Sequence, residues 1–164
     1  MAIGTIYTNE IGNIRNIGGV QKPLIILNNR DITFSPNNNS GTNYVASVFD
    51  LYYNAGISGG GYASRFFTQT GTIDFKKYKR LQAVGTYSNL SPGNGSYGYI
   101  QILNANGSLY REIWNSGPIN IDLDISSWTF EGKIRFQNYN WCDSSGSSTG
   151  RGRFTFSKFE CNFS

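Results

Sequence analysis

Residues 119–125 read INIDLDI, with Ile or Leu at every odd position and Asn or Asp at every even one. This period of two is typical of a β-strand that buries one face and exposes the other. Helix-forming residues nowhere recur at intervals of three and four over three turns, whereas strand-like runs recur throughout. We place further strands at residues 24–27, 32–34, 43–53, 65–70, 78–88, 97–104, 109–114 and 132–141.

The chain closes with a second alternating stretch, FTFSKFECNF at residues 154–163. Phe154 and Phe156 share one parity, and the apolar residues from Phe159 onward continue on the other. One extra residue near 157–158 would restore a single buried face, so the pattern predicts a β-bulge there.

Turn-forming residues separate the strands. Asn106-Gly107 suits left-handed backbone torsions and predicts a hairpin between Leu103 and Leu109. Loops are expected at 36–41, 57–61 and 91–95. Nine or ten short strands at this spacing predict an all-β sandwich or barrel over residues 23–164.

The first 22 residues differ from the rest, because their isoleucines follow no steady period. We therefore treat residues 1–22 as an irregular N-terminal arm. It is either a frayed terminus or a segment that packs onto a neighbouring subunit.

The two cysteines are too few for a disulfide scaffold. We expect residues 138–163 to form a hairpin with its turn near 146–148. Cys142 and Cys161 would then lie several residue pairs apart, so both are predicted to be free thiols.

Composition excludes several classes of protein. The chain has 164 residues, of which 38% are hydrophobic, 15% charged and 15% aromatic, which indicates one folded domain rather than disorder. The net charge is +4, but the one dense basic run, at residues 76–80, is typical of a solvated turn or strand edge. Nucleic acid is therefore not the expected partner. We find no signal peptide or transmembrane segment, so membrane insertion is not expected either.

The chemistry of catalysis is largely missing. The chain has no histidine, which removes the commonest general base and metal ligand. Asp122 and Asp124 are explained as the solvent side of a strand. We expect no catalytic residue, no metal and no cofactor. A carbohydrate-active enzyme would require carboxylates from distant strands to converge, and the available ones are Asp50, Asp74, Glu112 and Glu131.

Aromatic residues are the remaining candidates for a functional surface, and the chain has 11 Tyr, 11 Phe and 3 Trp. The phenylalanines lie mostly at inward positions, but several Tyr and Trp do not. Each could simply be a cross-strand packing residue. As a set they favour a contact surface for carbohydrate or protein, because an aromatic ring stacks on a sugar while Asn, Gln, Asp and Arg side chains bond its hydroxyls. The candidate binding residues are Tyr52, Tyr53, Tyr62, Trp114, Tyr139 and Trp141.

One pattern of strands is familiar. It runs through GTIDFKKYKRL at 71–81, SGPINIDLDISSW at 116–128, GKIRF at 132–136 and GRFTFSKF at 152–159. This order resembles the jelly-roll, carbohydrate-binding-module-like domains of bacteriophage tail, baseplate and fibre proteins, over roughly residues 65–164.

The resemblance implies a jelly-roll-like antiparallel β-sandwich and a virion component assembled in the host cytoplasm. Such a protein would adsorb to a cell-surface glycan without catalysis, as a homo-oligomer, with a trimer favoured. The alternative is a structural or decoration protein that contacts another virion protein, with the N-terminal arm as the attachment segment.

Overall fold

The structure, a computed structural model, describes residues 16–17, 20–26, 32–37, 42–45, 48–53, 61–90, 96–115, 117–142 and 150–163. The described strands are β1 Asn16–Ile17, β2 Val20–Gln21, β3 Leu24–Ile25, β4 Phe34–Pro36, β5 Thr42–Val45, β6 Val48–Tyr53, β7 Gly61–Gln69, β8 Ile73–Asp74, β9 Arg80–Asn89, β10 Ser96–Asn104, β11 Leu109–Trp114, β12 Ile119–Asp124, β13 Glu131–Cys142 and β14 Gly150–Asn162. One 3-10 turn, Phe75–Lys77, lies between β8 and β9.

Two six-stranded sheets contain most of these strands. Sheet I has the order β11-β10-β13-β7-β4, with β8 beside β13. Sheet II has the order β12-β9-β14-β6-β5, with β3 beside β14. The pairings within both sheets are antiparallel. From β9 onward the chain changes sheet at nearly every connection, and the two sheets pack face to face. The predicted all-β, jelly-roll-like sandwich is therefore confirmed.

Both stretches that indicated the fold behave as their patterns predict. Ile119, Ile121 and Ile125 are buried while Asp122 and Asp124 are exposed. In the β14–β9 ladder the register shifts between Phe156 and Lys158, which is the predicted bulge. The bulge returns the apolar residues after it to the interior, because it resets the parity of the strand.

The predicted Asn-Gly hairpin is also confirmed. Gly107 has φ +88°, and the backbone N–H of Asn104 donates to the carbonyl of Ser108 at 2.8 Å, which joins β10 to β11. A left-handed φ is cheapest for glycine because it has no Cβ.

The predicted hairpin over residues 138–163 is wrong. β13 is central in sheet I, between β10 and β7, and β14 is central in sheet II, between β9 and β6. The physical reason lies in the core, where Phe136 of β13 meets Phe154 at 5.8 Å and Phe156 at 5.1 Å across the two sheets. Cys161 is buried as a free thiol, as predicted, and the side chain of Cys142 lies outside the described residues.

A cluster of phenylalanine rings fills the space between the sheets. Phe136 is fully buried, and its ring centroid lies 4.2 Å from that of Phe49 and 5.7 Å from that of Phe159. Interdigitated aromatic rings bury a large apolar area and fix the distance between the sheets. This core accounts for the inward positions of β10 and β13. Tyr97, Tyr99, Arg135, Gln137 and Tyr139 lie on the opposite side of sheet I, and on that side Gln101 and Leu103 are buried.

Most of the predicted N-terminal arm lies outside the described residues. Within it, β1 and β2 pair as a short antiparallel ladder, in which Ile17 lies opposite Val20. No helix in the described ranges is long and apolar enough to span a membrane.

Candidate functional site

The outward face of sheet I carries a continuous set of aromatic and polar side chains. In β10 the buried residues Gly98, Ile100 and Ile102 alternate with the residues of this face. In β13 the buried Ile134 and Phe136 alternate likewise. We call this set the tyrosine face, and its residues are Tyr97, Tyr99, Gln101, Arg135, Gln137 and Tyr139.

Strand register brings these side chains together. Tyr97 lies directly opposite Tyr139, Tyr99 opposite Gln137, and Gln101 opposite Arg135. Antiparallel strands lie about 4.8 Å apart and rise about 3.4 Å per residue. The six residues therefore lie on two neighbouring strands roughly 5 Å apart and extend roughly 13 Å along them. These dimensions suit a short oligosaccharide.

Three tyrosines converge at one end of the tyrosine face. The rings of Tyr99 and Tyr139 meet edge to face with centroids 6.4 Å apart, and Tyr97 is 54% exposed. Burial raises the pKa of Tyr99, and so do Glu112, Tyr139 and Tyr97 in that order. The hydroxyl of Tyr99 thus remains protonated and can both donate and accept hydrogen bonds.

Arg135 lies at the other end, next to an aromatic ring. Its guanidinium carbon is 4.5 Å from the ring centroid of Phe66, and its Nε donates to Oγ1 of Thr68 at 3.2 Å. Both neighbours belong to β7. The ring contact and the hydrogen bond hold the guanidinium beside β7, and partial burial lowers the pKa of Arg135.

Several polar groups of this face have no partner among the described residues. The buried Oε1 of Gln101 accepts no hydrogen bond. The side chain of Gln137 and the hydroxyls of Tyr97 and Tyr99 make none in the part of the chain that the structure describes. Polar groups without a hydrogen-bond partner in the described part of the chain therefore lie beside the exposed ring of Tyr97.

The outward face of sheet II is the opposite case. Asp122 accepts from Arg80 Nε and Gln82 Nε2, each at 3.0 Å, and these bonds lower the pKa of its carboxyl, the one from Arg80 most. Lys158 Nζ pairs with Glu160 at 2.9 Å and donates to Gln82 at 2.7 Å. These side chains pair with one another, so this network leaves few unpaired polar groups for a ligand to bind.

The structure separates the candidate residues named from sequence. Tyr139 belongs to the tyrosine face. Trp114 points between the sheets, where its ring lies 5.7 Å from that of Tyr87 and 5.8 Å from that of Phe154, and its Nε1 donates to the carbonyl of Pro118 at 3.3 Å. Trp114 therefore packs against core rings at the edge of the sandwich.

The other four candidates have described backbones, but their side chains lie outside the described part of the protein. Tyr62 of β7 lies opposite Trp141 of β13 in sheet I, which is the sheet of the tyrosine face. Tyr52 and Tyr53 belong to β6 of sheet II. The six candidates therefore lie on both sheets and do not form a single set.

Sequence reasoning omitted most of the tyrosine face, although the signal was present. Residues 97–102 read YGYIQI, which alternates like INIDLDI, with Tyr or Gln at odd positions. Residues 134–139 read IRFQNY and show the same period. Reading parity in these two runs would have placed Tyr99, Gln101 and Arg135 with Tyr139 on one face.

One pair of carboxylates does converge. Asp74 lies opposite Glu131 in the β8–β13 ladder, and both line a polar cavity of ≈ 310 Å³ with Gln69 and Thr72. Lys77 pairs with Asp74 at 3.3 Å, so a cation already compensates that carboxylate. Glu112 lies elsewhere, on β11, and the side chain of Asp50 is outside the described residues.

The described part of the chain contains no group of three or more Cys, Asp or Glu side chains arranged to hold a metal ion. No protein-family model matches this sequence, and no curated protein shows significant similarity to it.

Proposed function

We propose that this protein is a non-catalytic binding protein that adsorbs to a cell-surface glycan through the tyrosine face. The observation that supports this choice is the contrast between the two outward faces. On sheet II, Arg80 pairs with Asp122 and Lys158 pairs with Glu160. On sheet I, the amide of Gln137 and the hydroxyls of Tyr97 and Tyr99 have no hydrogen-bond partner among the described residues.

The chemistry of the tyrosine face suits a sugar. An aromatic ring stacks on the C–H face of a pyranose, and Tyr97, at 54% exposure, is available for this contact. The amide of Gln137 and the hydroxyl of Tyr99 can bond sugar hydroxyls in either direction. Since these residues lie on central strands, their positions are set by the sandwich, and little entropy is lost on binding.

The test is a binding measurement on purified protein with an array of bacterial cell-wall glycans. Tyr97→Ala and Tyr99→Ala should weaken binding roughly fivefold to a hundredfold each, since removing an aromatic contact costs about 1–3 kcal/mol. Val84→Ala is the matched control, because Val84 is 42% exposed on sheet II. If no glycan binds, or if all three variants bind equally, the proposal is wrong.

We also propose that the protein is a virion component and a homo-oligomer, with a trimer favoured. This proposal is supported by the resemblance to bacteriophage tail and fibre domains. Edge strand β11 adds a physical reason, because Leu109 is 55% exposed and Tyr110 is 46% exposed on it. Exposed apolar groups on an edge strand are suited to contact with another chain.

Light scattering on the full chain and on a chain lacking residues 1–22 tests this second proposal. A trimer that dissociates on deletion supports an N-terminal attachment arm and the decoration role. A full chain that is monomeric at all concentrations overturns it and leaves glycan adsorption as a separate question.

The rival of a carbohydrate-active enzyme has its own assay. Because Asp74 and Glu131 line one cavity, hydrolysis by them should appear as new reducing ends from a bound oligosaccharide. We expect no release with wild-type protein. Release that disappears in both Asp74→Asn and Glu131→Gln would show that the protein is an enzyme.

A further inference from the structure

We propose that the glycan bound on the tyrosine face carries an anionic group, a carboxylate or a phosphate, and that Arg135 binds it. The proposal rests on the glycan-binding function proposed above and specifies its substrate class. Arg135 is a cation in the middle strand of sheet I, where it lies between Gln101 on one side and Thr68 on the other.

Arg135 is held in place by uncharged neighbours. Phe66 supports one side of its guanidinium plane at 4.5 Å, and Thr68 takes the N–H of Nε at 3.2 Å. The terminal nitrogens Nη1 and Nη2 are left without a hydrogen-bond acceptor in the described part of the chain. Since these two nitrogens form the fork that binds carboxylate or phosphate in a bidentate manner, the group is oriented for an external anion.

The charge of Arg135 is also uncompensated. No described carboxylate forms an ion pair with it, and its pKa is lowered by burial without a counteracting acidic neighbour. On the other sheet, Arg80 instead pairs with Asp122. A partly buried cation that lacks a counter-ion costs free energy in the unbound protein, and an anionic ligand would remove that cost.

A second unpaired group lies directly opposite. Gln101 is 9% exposed, and its Oε1 is buried with no hydrogen-bond donor among the described residues. An unpaired donor fork and an unpaired acceptor therefore occupy one cross-strand pair. A rotation of the Gln101 amide would satisfy its oxygen from Arg135 or from a sugar hydroxyl beside the anionic group.

The charge around the site favours an acidic glycan over nucleic acid. A single-stranded nucleic acid is bound by a basic groove that follows its phosphates. Glu112 lies near Tyr99 on the tyrosine face, and the basic run at residues 76–80 lies at the turn after β8, where Lys76 and Lys77 pair with Asp74. Arg135 and Lys133 are the cations on this side of β13, and two neighbouring cations are a much smaller positive patch than a groove that follows a phosphate backbone.

The experiment compares ligands and variants in titration calorimetry at about 0.15 M salt. The probes are an oligogalacturonate, its methyl ester, a glycerol-phosphate oligomer and oligo-dT. The variants are Arg135→Gln and, as the matched control, Lys133→Gln, which removes the same charge two residues away on the same strand. Thermal unfolding of each variant confirms that it is folded.

The expected result is binding of the oligogalacturonate or the glycerol-phosphate oligomer, with the preferred one identifying the anionic group. Arg135→Gln should weaken it roughly tenfold to a hundredfold, as expected for a lost charge-assisted bidentate contact. Lys133→Gln should change it less than about threefold. The methyl ester should bind wild type and Arg135→Gln equally weakly.

Other outcomes overturn the inference in distinguishable ways. Equal binding of the oligogalacturonate and its ester would reject the anionic group while leaving adsorption to a neutral glycan intact. Equal losses in Arg135→Gln and Lys133→Gln would indicate unspecific attraction. Tight binding of oligo-dT alone would point to nucleic acid. Binding of no sugar at all, here and on the glycan array, rejects the proposed function itself.

Discussion

Gly98 is the position where a single methyl group should damage the sandwich most clearly. It lies in β10 between the two tyrosines of the tyrosine face, and its own Cα faces the interior. A Cβ added there would lie 2.6 Å from Cδ2 of Tyr87, 2.7 Å from Cε2 of the same ring and 2.9 Å from Cζ of Phe154. Carbon atoms in contact normally lie about 3.5–4.0 Å apart, so the neighbours would have to move by almost 1 Å.

Neither neighbour can move freely. Phe154 is fully buried against Phe136. Tyr87 donates from its hydroxyl to Oδ1 of the buried Asn138, at 2.5 Å, and this bond links the two sheets. Overpacking costs about 1–3 kcal/mol, and a strained hydrogen bond adds about 1 kcal/mol. Alanine also restricts the unfolded chain more than glycine does, and this effect stabilises the folded protein by up to about 1 kcal/mol. We expect Gly98→Ala to lower the free energy of unfolding by about 1–3 kcal/mol.

Urea unfolding followed by tryptophan fluorescence measures this change, and the midpoint of thermal unfolding should fall by roughly 3–10 °C. Gly71→Ala is the matched control, because no atom lies within 4 Å of the place a Cβ would take there and its φ is not left-handed. That variant should be neutral or slightly more stable. If Gly98→Ala is within about 0.5 kcal/mol of wild type, the close packing of β10 on Tyr87 is not as described.

Three further predictions concern charge, thiol chemistry and register. The hydrogen bond from Arg80 lowers the pKa of Asp122, so their pairing stabilises the fold above about pH 4, and this contribution is lost as the pH falls through the lowered value. Urea unfolding should therefore show wild type and Asp122→Asn converging in stability at low pH; a constant difference contradicts this. Burial raises the pKa of Cys161 to about 12, so a Cys142→Ser variant should react with a thiol reagent at about pH 8 only after denaturation. Labelling of the native variant would refute that. Deleting Ser157 removes the bulge residue and turns the apolar residues after it outward, so the variant should be insoluble or unfolded, whereas Ser157→Ala should cost less than about 1 kcal/mol. A folded deletion variant, detected by circular dichroism, would disprove the role of the bulge.

Much of the fold could be predicted from local patterns. The alternation at 119–125 identified β12 and its buried face, and the parity shift after Phe156 located the bulge. Asn106-Gly107 located one hairpin. Each of these features depends on the pleat or on the torsions of a few neighbouring residues, so a short window of sequence is sufficient to show it.

The candidate site was predicted less well. The candidates were chosen from sequence because they are Tyr or Trp. They include Trp114, which the structure places between the sheets, and residues of both sheets. Tyr99 and Arg135 were omitted, because alternation says which residues of one strand share a face but not which strands are neighbours. The pairing of β10 with β13 joins residues far apart in the chain, and that register created the tyrosine face.

The sequence by itself determined that this chain forms strands, which face of several strands is buried, where β14 bulges, and that histidine chemistry is absent. Only the tertiary structure decided that β13 and β14 belong to opposite sheets and that Arg135 lies between Gln101 and Thr68 without a counter-ion in the described part of the chain. The physical reason is that local sterics fix the direction of each side chain, whereas strand neighbours are fixed by long-range packing of Phe136 against Phe154 and Phe156.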